Sequence, residues 1–298
     1  MKRNFDRREF LQLAGYGGVV WASGLGMAGC ATPAGGMAKD FHFVQLSDTH
    51  WGYKGPANPH ADSTLAQAVA AVNALSQPPD FVVFTGDLTH LTLDAAQRRQ
   101  RMKEFREIVA DLKVGKVYFL PGEHDASADK GEIYREFFGP SHYSFDHGGV
   151  HFVALDNVSD PKGAVGDEQI AWLAQDLEHR PVNSPVVVFT HRPLFDLAPE
   201  WGWATQDGAR VVELLAPLPK VAVFYGHIHQ VHRHETGSVT HLAASSLIFP
   251  LPAPMSGPDH KPIPWNADHP YAGIGWREVS HEAAGTGYSA SEKPMGPA

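Results

Sequence analysis

Acidic and imidazole side chains follow five short apolar runs of this chain, at the point where each run ends. The five segments are Ser47-Asp48-Thr49-His50, Thr85-Gly86-Asp87, Pro121-Gly122-Glu123-His124-Asp125, Thr190-His191 and Tyr225-Gly226-His227-Ile228-His229. Carboxylates and imidazoles without a thiolate are donors that suit manganese, iron or zinc. They are too many for one tetrahedral ion and about right for two, so the pattern predicts a dinuclear metal site.

The apolar runs are short and rich in valine and phenylalanine, which predicts buried strands. They span Phe41–Leu46, Phe81–Phe84, Val117–Leu120, His151–Leu155, Val186–Phe189 and Val221–Phe224. Helical patterns separate them at Ser63–Leu75, Asp94–Leu112, Asp167–Leu177 and Ala209–Leu215. Strands alternating with helices predict an α/β fold. Ligands bind beyond the carboxyl ends of the strands in open α/β sheets, so we expect the five segments to converge.

The chain changes character after Val231. Val231–His234 and Ser238–Ala243 predict a hairpin, Pro250–Pro264 a surface loop, and Gly273–Val279 a last strand. The small and polar residues 281–298 predict a disordered tail. Neither a repeat nor a strong linker interrupts the chain, which favours one domain over residues 40–280.

The ordered set of five segments resembles the motifs of the calcineurin-like metallophosphoesterases. Those motifs run Asp-x-His, Gly-Asp, Gly-Asn-His-Asp/Glu, a single His and Gly-His-x-His. Leu155-Asp156, followed by Gln169 and by Trp172-Leu173, is similar to the cyclic-nucleotide phosphodiesterase branch of that family. The resemblance implies a four-layer α/β/β/α sandwich of two mixed β-sheets flanked by helices. It also implies hydrolysis of a phosphodiester or a phosphomonoester.

The resemblance further implies two sets of ligands that share one bridging member. The sets are Asp48, His50 and His229 for one ion, Glu123, His191 and His227 for the other, and Asp87 for both. The ions would be divalent or of mixed valence, drawn from Mn, Fe and Zn, and hydroxide held between them would be the nucleophile. His124 would stabilise the phosphate or protonate the leaving oxygen, and Asp125 would orient its ring.

Glu123 departs from the family motif, which has asparagine at this position. Its additional negative charge is expected to strengthen metal retention and to weaken the attraction of phosphate. Three interpretations remain open: tuning towards a diester, preference for a more highly charged ion such as Fe(III), or a site that turns over slowly.

Several aromatic and imidazole side chains near the motifs are candidates for substrate contacts, with a surface or structural role as the alternative. His90 follows the second motif, and Trp51 follows the first. Weaker candidates lie in the same loop and in the proline-rich region: Tyr53, His60, Trp265 and His269.

The first thirty residues resemble a bacterial export signal. Arg7-Arg8 precedes a glycine-rich apolar stretch, as in twin-arginine signals, and the box ending at Cys30 resembles a lipoprotein cleavage site. These residues predict recognition by the twin-arginine translocation machinery and a periplasmic or exported protein. A lipid anchor at Cys30 is the membrane-bound version of this prediction, and simple cleavage near Ala31 is the alternative.

The composition and net charge of the chain limit the classes of molecule that it is expected to bind. The 298 residues are 43% hydrophobic and 19% charged, which is typical of a globular protein. The net charge of −9 argues against nucleic acid as a partner, because phosphate backbones require a basic surface. A small phosphoester is the expected substrate. An exported metal-binding or accessory protein with little catalytic activity remains the alternative function.

Overall fold

The computed structural model describes residues 39–181, 183–283 and 287–296. The expected export signal over residues 1–30, with Cys30, lies outside the described residues. The strands are β1 Phe41–Leu46, β2 Phe81–Thr85, β3 Val117–Leu120, β4 Tyr143–His147, β5 Val150–Ala154, β6 Val186–Phe189, β7 Val221–Tyr225, β8 His232–Thr236, β9 Val239–Ala243, β10 Gly275–His281 and β11 Tyr288–Pro294.

The helices are α1 Ala61–Asn73, α2 Ala95–Val109, α3 Glu123–Ala126, α4 Glu132–Phe138, α5 Asp167–His179 and α6 Gly208–Leu215, with a 3-10 turn at Pro199–Trp201. None of the helices in the described part of the chain has the length and apolar character needed to cross a membrane.

Two mixed sheets carry the fold. One has the strand order β11-β10-β1-β2-β3, and the other has the order β4-β5-β6-β7-β9-β8. The pairs β1–β2, β2–β3, β5–β6, β6–β7 and β7–β9 are parallel. The pairs β1–β10, β10–β11, β4–β5 and β8–β9 are antiparallel. Parallel strands that are buried on both faces need near-continuous apolar runs, which is why the sequence pattern located them.

The two sheets pack face to face through aromatic side chains. Phe43 of β1 meets Phe152, Phe189 and Phe224 of the other sheet edge-on, with ring centroids 6.2, 5.7 and 5.4 Å away. Helices α1 and α2 cover the outer face of the first sheet, and α5 and α6 cover that of the second. The four-layer α/β/β/α sandwich that the resemblance implied is therefore confirmed.

The chain beyond residue 281 differs from the sequence-based expectation. Tyr288–Pro294 forms strand β11 and pairs with β10, so the prediction of a disordered tail is wrong for these residues. Two ion pairs join the strands, Arg277 to Glu292 at 2.6 Å and Lys293 to Glu278 at 2.7 Å. An edge strand held by charge contains few apolar residues, so hydrophobic patterning did not reveal it.

Strand β4 and helix α4 were also not predicted. Both are short, and β4 leaves its residues only half-buried beside β5. The predicted hairpin is present as β8 and β9, and the predicted last strand is present as β10, each shifted by one or two residues.

Candidate metal centre

The loops after β1 and β7 bring three predicted ligands together. His50 Nε2 lies 3.2 Å from His229 Nε2, and His229 Nε2 lies 3.4 Å from Asp48 Oδ1. All three side chains are buried. One oxygen and two nitrogen atoms, all within 4.8 Å of one another, can coordinate a single ion.

The loops after β3, β6 and β7 form a second set. Glu123 Oε2 lies 2.9 Å from His191 Nε2, and Glu123 Oε1 lies 2.9 Å from His227 Nδ1. The short helix α3 begins at Glu123 and directs its carboxylate between the two imidazoles.

Asp87, after β2, lies between the two sets. Its Oδ2 atom is 3.4 Å from His50 Nε2 and 3.5 Å from His191 Nε2, one histidine of each set. Its Oδ1 atom accepts a hydrogen bond from the backbone N–H of His124 at 2.9 Å. The structure thus gathers all seven predicted ligands at one end of the sandwich.

Backbone carbonyls orient three of the imidazoles. His191 Nδ1 lies 2.7 Å from the Thr85 carbonyl, His229 Nδ1 lies 2.8 Å from the Phe249 carbonyl, and His227 Nε2 lies 3.1 Å from the carbonyl of Gly202. A ring nitrogen that donates to a carbonyl leaves the lone pair on the other nitrogen. In each ring that second nitrogen faces the carboxylates, as histidines that bind metal are usually arranged.

The contact between His191 and Glu123 tests whether a cation fits this site. With His191 Nδ1 donating to Thr85, the neutral ring presents a lone pair to the Glu123 carboxylate. His191 Nε2 and Glu123 Oε2 are both buried and have no hydrogen-bond partner among the described residues. Two acceptors held together require a positive charge between them, which either a proton on His191 or a metal ion supplies. Oxygen and nitrogen donors without sulfur fit divalent Mn, Fe or Zn.

The pKa shifts show how strongly the site attracts positive charge. Burial works against the charged form of His191, but Asp87 and Glu123 outweigh it and raise the pKa of His191 well above its usual value. Burial likewise disfavours the charged form of Glu123, yet His227 and His191 hold the pKa of Glu123 well below its usual value.

Five of the seven residues have a left-handed backbone conformation that non-glycine residues rarely adopt. Their φ angles are 54° at Asp48, 42° at His50, 49° at Asp87, 67° at His227 and 53° at His229. Such conformations cost roughly 1–3 kcal/mol each and persist where the surroundings impose them. Strain concentrated on these loops is typical of a functional site.

Glycines in the motifs leave room for the ligands. A methyl group at Gly122 would overlap Asp87, and one at Gly86 would overlap the His191 ring. A methyl group at Gly226 would overlap the Ser47 hydroxyl and approach Asp48 Oδ2. The glycines therefore permit one loop to pack against the ligand of another.

His124 faces the pocket with a defined tautomer. Its Nδ1 atom accepts a hydrogen bond from the backbone N–H of Leu91 at 3.0 Å, so the proton of the neutral ring is on Nε2. His124 lines the pocket beside Asp87 and Glu123. The ring can therefore donate a hydrogen bond to a group bound there.

Asp125 does not orient the His124 ring, contrary to the expectation. Its Oδ1 accepts from the backbone N–H and the hydroxyl of Thr89 at 2.8 and 3.0 Å, and its Oδ2 accepts from the N–H groups of Leu88 and Gly122, both at 2.9 Å. Burial and the Asp87 carboxylate raise the pKa of Asp125 to about 7, against the effect of these hydrogen bonds. Asp125 joins the loops after β2 and β3.

The pocket over the site has a volume of about 330 Å³. Its wall includes Trp203, Phe249 and Leu251, and the proline-rich loop contributes Asp259–Pro262. These residues were not predicted as pocket residues from the sequence, although the predicted surface loop at Pro250–Pro264 contains His260 and Lys261. Trp265 and His269 do not line this pocket.

The predicted substrate contacts of His90 and Trp51 are not supported by their positions. His90 Nδ1 lies 3.2 Å from His50 Nδ1, so His90 lies behind a predicted ligand and does not line the pocket. Trp51 donates from Nε1 to Glu104 Oε2 at 2.9 Å and thereby ties its loop to α2. Asn157, which sequence reasoning missed, accepts from the backbone N–H of His191 at 3.3 Å.

Comparisons with known proteins agree with this geometry. The family model described as calcineurin-like phosphoesterase matches residues 41–231. A probable glycerophosphodiester phosphodiesterase of Arcobacter nitrofigilis is 30% identical over 217 residues, which cover 68% of this chain and 77% of that protein. A 3',5'-cyclic-nucleotide phosphodiesterase of Nostoc sp. is 24% identical over 214 residues, covering 69% and 78% respectively.

Solved structures share the fold. A dimetal phosphatase from Danio rerio aligns with a TM-score of 0.59 at 14% identity, over 85% of this chain and 96% of that one. The residues that the family model matches include all five strand-end segments, from Asp48 to His229. The chain therefore belongs to the calcineurin-like phosphoesterase family and is a metallophosphoesterase, a hydrolase acting on phosphoric ester bonds.

Proposed function

We propose that this site binds two divalent metal ions and that the enzyme hydrolyses small phosphodiesters. The observation that carries the proposal is the position of Asp87 Oδ2, 3.4 Å from His50 Nε2 and 3.5 Å from His191 Nε2. A carboxylate between two sets of donors is placed as a bridging ligand must be. When bound, two such ions supply Lewis acidity and lower the pKa of water from about 15.7 towards 7.

The side chains of the site would have three roles: holding the ions, donating a proton and excluding water. Asp48, His50 and His229 would hold one ion, and Glu123, His191 and His227 the other. His124 would donate its Nε2 proton to a phosphate oxygen or to the leaving oxygen, because Leu91 already occupies its Nδ1 atom. Trp203 and Phe249 would exclude water from one side of the substrate.

Two observations favour a small diester. The pocket of about 330 Å³ lies at the small end of the range for ligand pockets and has both apolar and polar walls. Two similar proteins are named as a glycerophosphodiester phosphodiesterase and a cyclic-nucleotide phosphodiesterase. A phosphomonoester is the second candidate, because Lys261 lines the pocket. Its Nζ lies 2.6 Å from Asp259 Oδ2, and it would exchange this partner for the additional negative charge of the monoester.

The test compares metal-free and metal-loaded enzyme on an aryl phosphodiester and the matching monoester. We expect two ions per chain by elemental analysis after loading with Mn²⁺ or Zn²⁺, and a higher kcat/KM for the diester. Asp87→Asn should lose both the second ion and most activity. A loaded wild type that is inert on both esters would instead support the accessory, metal-binding function.

We also propose that residues 1–30 direct export, on the support of the twin arginine at Arg7-Arg8 alone. Replacing both arginines by lysine should retain the protein in the cytoplasm of a host with the twin-arginine pathway. Mass spectrometry of the mature N-terminus would distinguish a lipid on Cys30 from simple cleavage. An unmodified N-terminus in the soluble periplasm contradicts the anchor.

A further inference from the structure

Glu123 has a cationic neighbour in addition to the two histidines. Arg192 Nε lies 3.7 Å from Glu123 Oε2, and each side chain is 20% exposed. This distance is too long for a hydrogen bond, so the two groups interact through charge. Glu123 is the one carboxylate within 4.0 Å of the Arg192 side chain in the part of the chain that the structure describes.

The position of Arg192 is fixed by its surroundings. Its carbonyl accepts hydrogen bonds from Asn157 Nδ2 and the Thr190 hydroxyl, both at 2.9 Å, and its N–H donates to Asn157 Oδ1 at 3.3 Å. Gly163 lies beside the guanidinium, where a Cβ atom would collide with it. Arg192 directly follows His191, so a movement of this residue would also disturb a predicted ligand.

The net charge of the two ions and their carboxylate ligands determines the effect that the Arg192 charge can have. Three carboxylates, Asp48, Asp87 and Glu123, leave one net positive charge on a pair of divalent ions. A neutral side chain at position 123 would leave two. Arg192 does not line the pocket, and it approaches Glu123 outside the substrate space. The positive charge of Arg192 can therefore offset the additional negative charge of Glu123 without occupying the substrate space.

We propose that Arg192 is a positioning residue that compensates the charge of Glu123, so that the site retains metal firmly and still attracts phosphate. The proposal rests on the metal binding described under Proposed function. With Arg192 3.7 Å from its carboxylate, Glu123 should weaken phosphate binding less than its own charge would alone.

The test measures binding and does not depend on turnover. The affinity for Mn²⁺ is measured by chelator competition, and that for inorganic phosphate by calorimetry on the loaded protein. Arg192→Gln should weaken phosphate binding by about threefold or more and tighten Mn²⁺ binding, since a charge within several ångströms acts on both. Glu123→Gln should shift both affinities in the opposite directions, and the double variant should return towards the wild type.

Two controls separate charge from packing. Arg192→Lys keeps the charge and should bind phosphate within about twofold of the wild type, a difference well below 1 kcal/mol. Arg210→Gln removes an arginine from an exposed ion pair with Asp167, outside the pocket, and should change neither affinity. If Arg192→Gln changes phosphate affinity no more than Arg210→Gln, the proposal is overturned, whatever happens to thermal stability.

The wild-type measurements distinguish this proposal from the one on which it rests. A wild type that binds no Mn²⁺ overturns both proposals. A wild type that binds Mn²⁺ and phosphate, with Arg192→Gln unchanged, overturns only the role of Arg192. Should Arg192→Gln fail to fold, Arg192→Met takes its place, because it also removes the charge and keeps an unbranched side chain. Unchanged phosphate affinity in Arg192→Met then overturns the role of Arg192.

Discussion

Asp125 and Thr89 are joined by two hydrogen bonds, from the Thr89 backbone N–H at 2.8 Å and from its hydroxyl at 3.0 Å, both to Asp125 Oδ1. The other oxygen of Asp125 accepts from Leu88 and Gly122. These contacts connect the loop that carries Asp87 to the loop that carries Glu123. The Asp125 carboxylate thus fixes the distance between Asp87, which lies between the two sets of ligands, and Glu123, which belongs to one of them.

Asp125→Asn should therefore disturb the site through stability. An amide keeps one acceptor oxygen but turns an NH₂ group towards backbone donors, and each unsatisfied buried donor costs about 1–3 kcal/mol. We expect the free energy of unfolding to fall by roughly 2–4 kcal/mol, together with weaker binding of the second ion. Chemical denaturation and elemental analysis measure the two effects. Asp125→Asn unfolding with wild-type stability would contradict this role.

Gly122→Ala should displace Asp87. The added methyl group would overlap the Asp87 backbone nitrogen and Oδ1, and backbone cannot move aside cheaply. We expect loss of one ion per chain and a fall in kcat of about 100-fold or more, since small displacements of catalytic groups have effects of this size. Gly115→Ala is the matched control, because nothing lies within 4 Å of its added methyl group. Equal activity of the two variants would contradict the packing argument.

His124→Ala should reduce kcat while leaving metal content unchanged. The His124 side chain lines the pocket, and the hydrogen bond from His124 to Asp87 comes from its backbone N–H. Removal of a general acid typically costs about 10²–10⁴ in rate. The loss should be smaller for esters with an acidic leaving group, which needs less protonation. A uniform loss across leaving groups would assign His124 to charge stabilisation.

The strands and the metal ligands could be predicted where an apolar run is followed directly by residues that bind metal. Apolar runs end at Leu46 and Phe84, and the ligand types follow at once, so both the strands and the convergence of their ends could be predicted. Asp125 belongs to a motif, but its partners Leu88 and Thr89 belong to another loop, so its role was misassigned. Such a contact depends on how the loops pack, which spacing along the chain does not encode.

The pocket wall and the last strand illustrate the same limit. Trp203 and His260 come from segments about sixty residues apart, and their rings lie 6.1 Å apart only after folding. The polar strand β11 is stabilised by pairing with β10 and by the Arg277–Glu292 contact, not by an apolar face. Neither feature has a periodic pattern that could have revealed it.

His151 gives the protein a pH-dependent contribution to stability away from the metal centre. Its Nδ1 lies 2.8 Å from Asp146 Oδ1, and its Nε2 lies 2.8 Å from Asp176 Oδ2. Burial lowers the pKa of His151, but the hydrogen bonds to Asp176 and Asp146 outweigh burial and raise this pKa above its ordinary value. The charged imidazole is therefore favoured more in the folded protein than in the unfolded chain.

A folded-state pKa above the unfolded value gives stability that is complete below the unfolded pKa of about 6.5. This stability is lost as the pH rises through the folded-state pKa. Asp146 is exposed and screened, so the contribution should be on the order of 1 kcal/mol. Urea unfolding of the wild type and of His151→Gln should show a larger difference at pH 6 than at pH 9. Groups that titrate in the same way in both proteins do not contribute to this difference in the free energy of unfolding. A difference that is the same at pH 6 and pH 9 would show that His151 does not carry the charge.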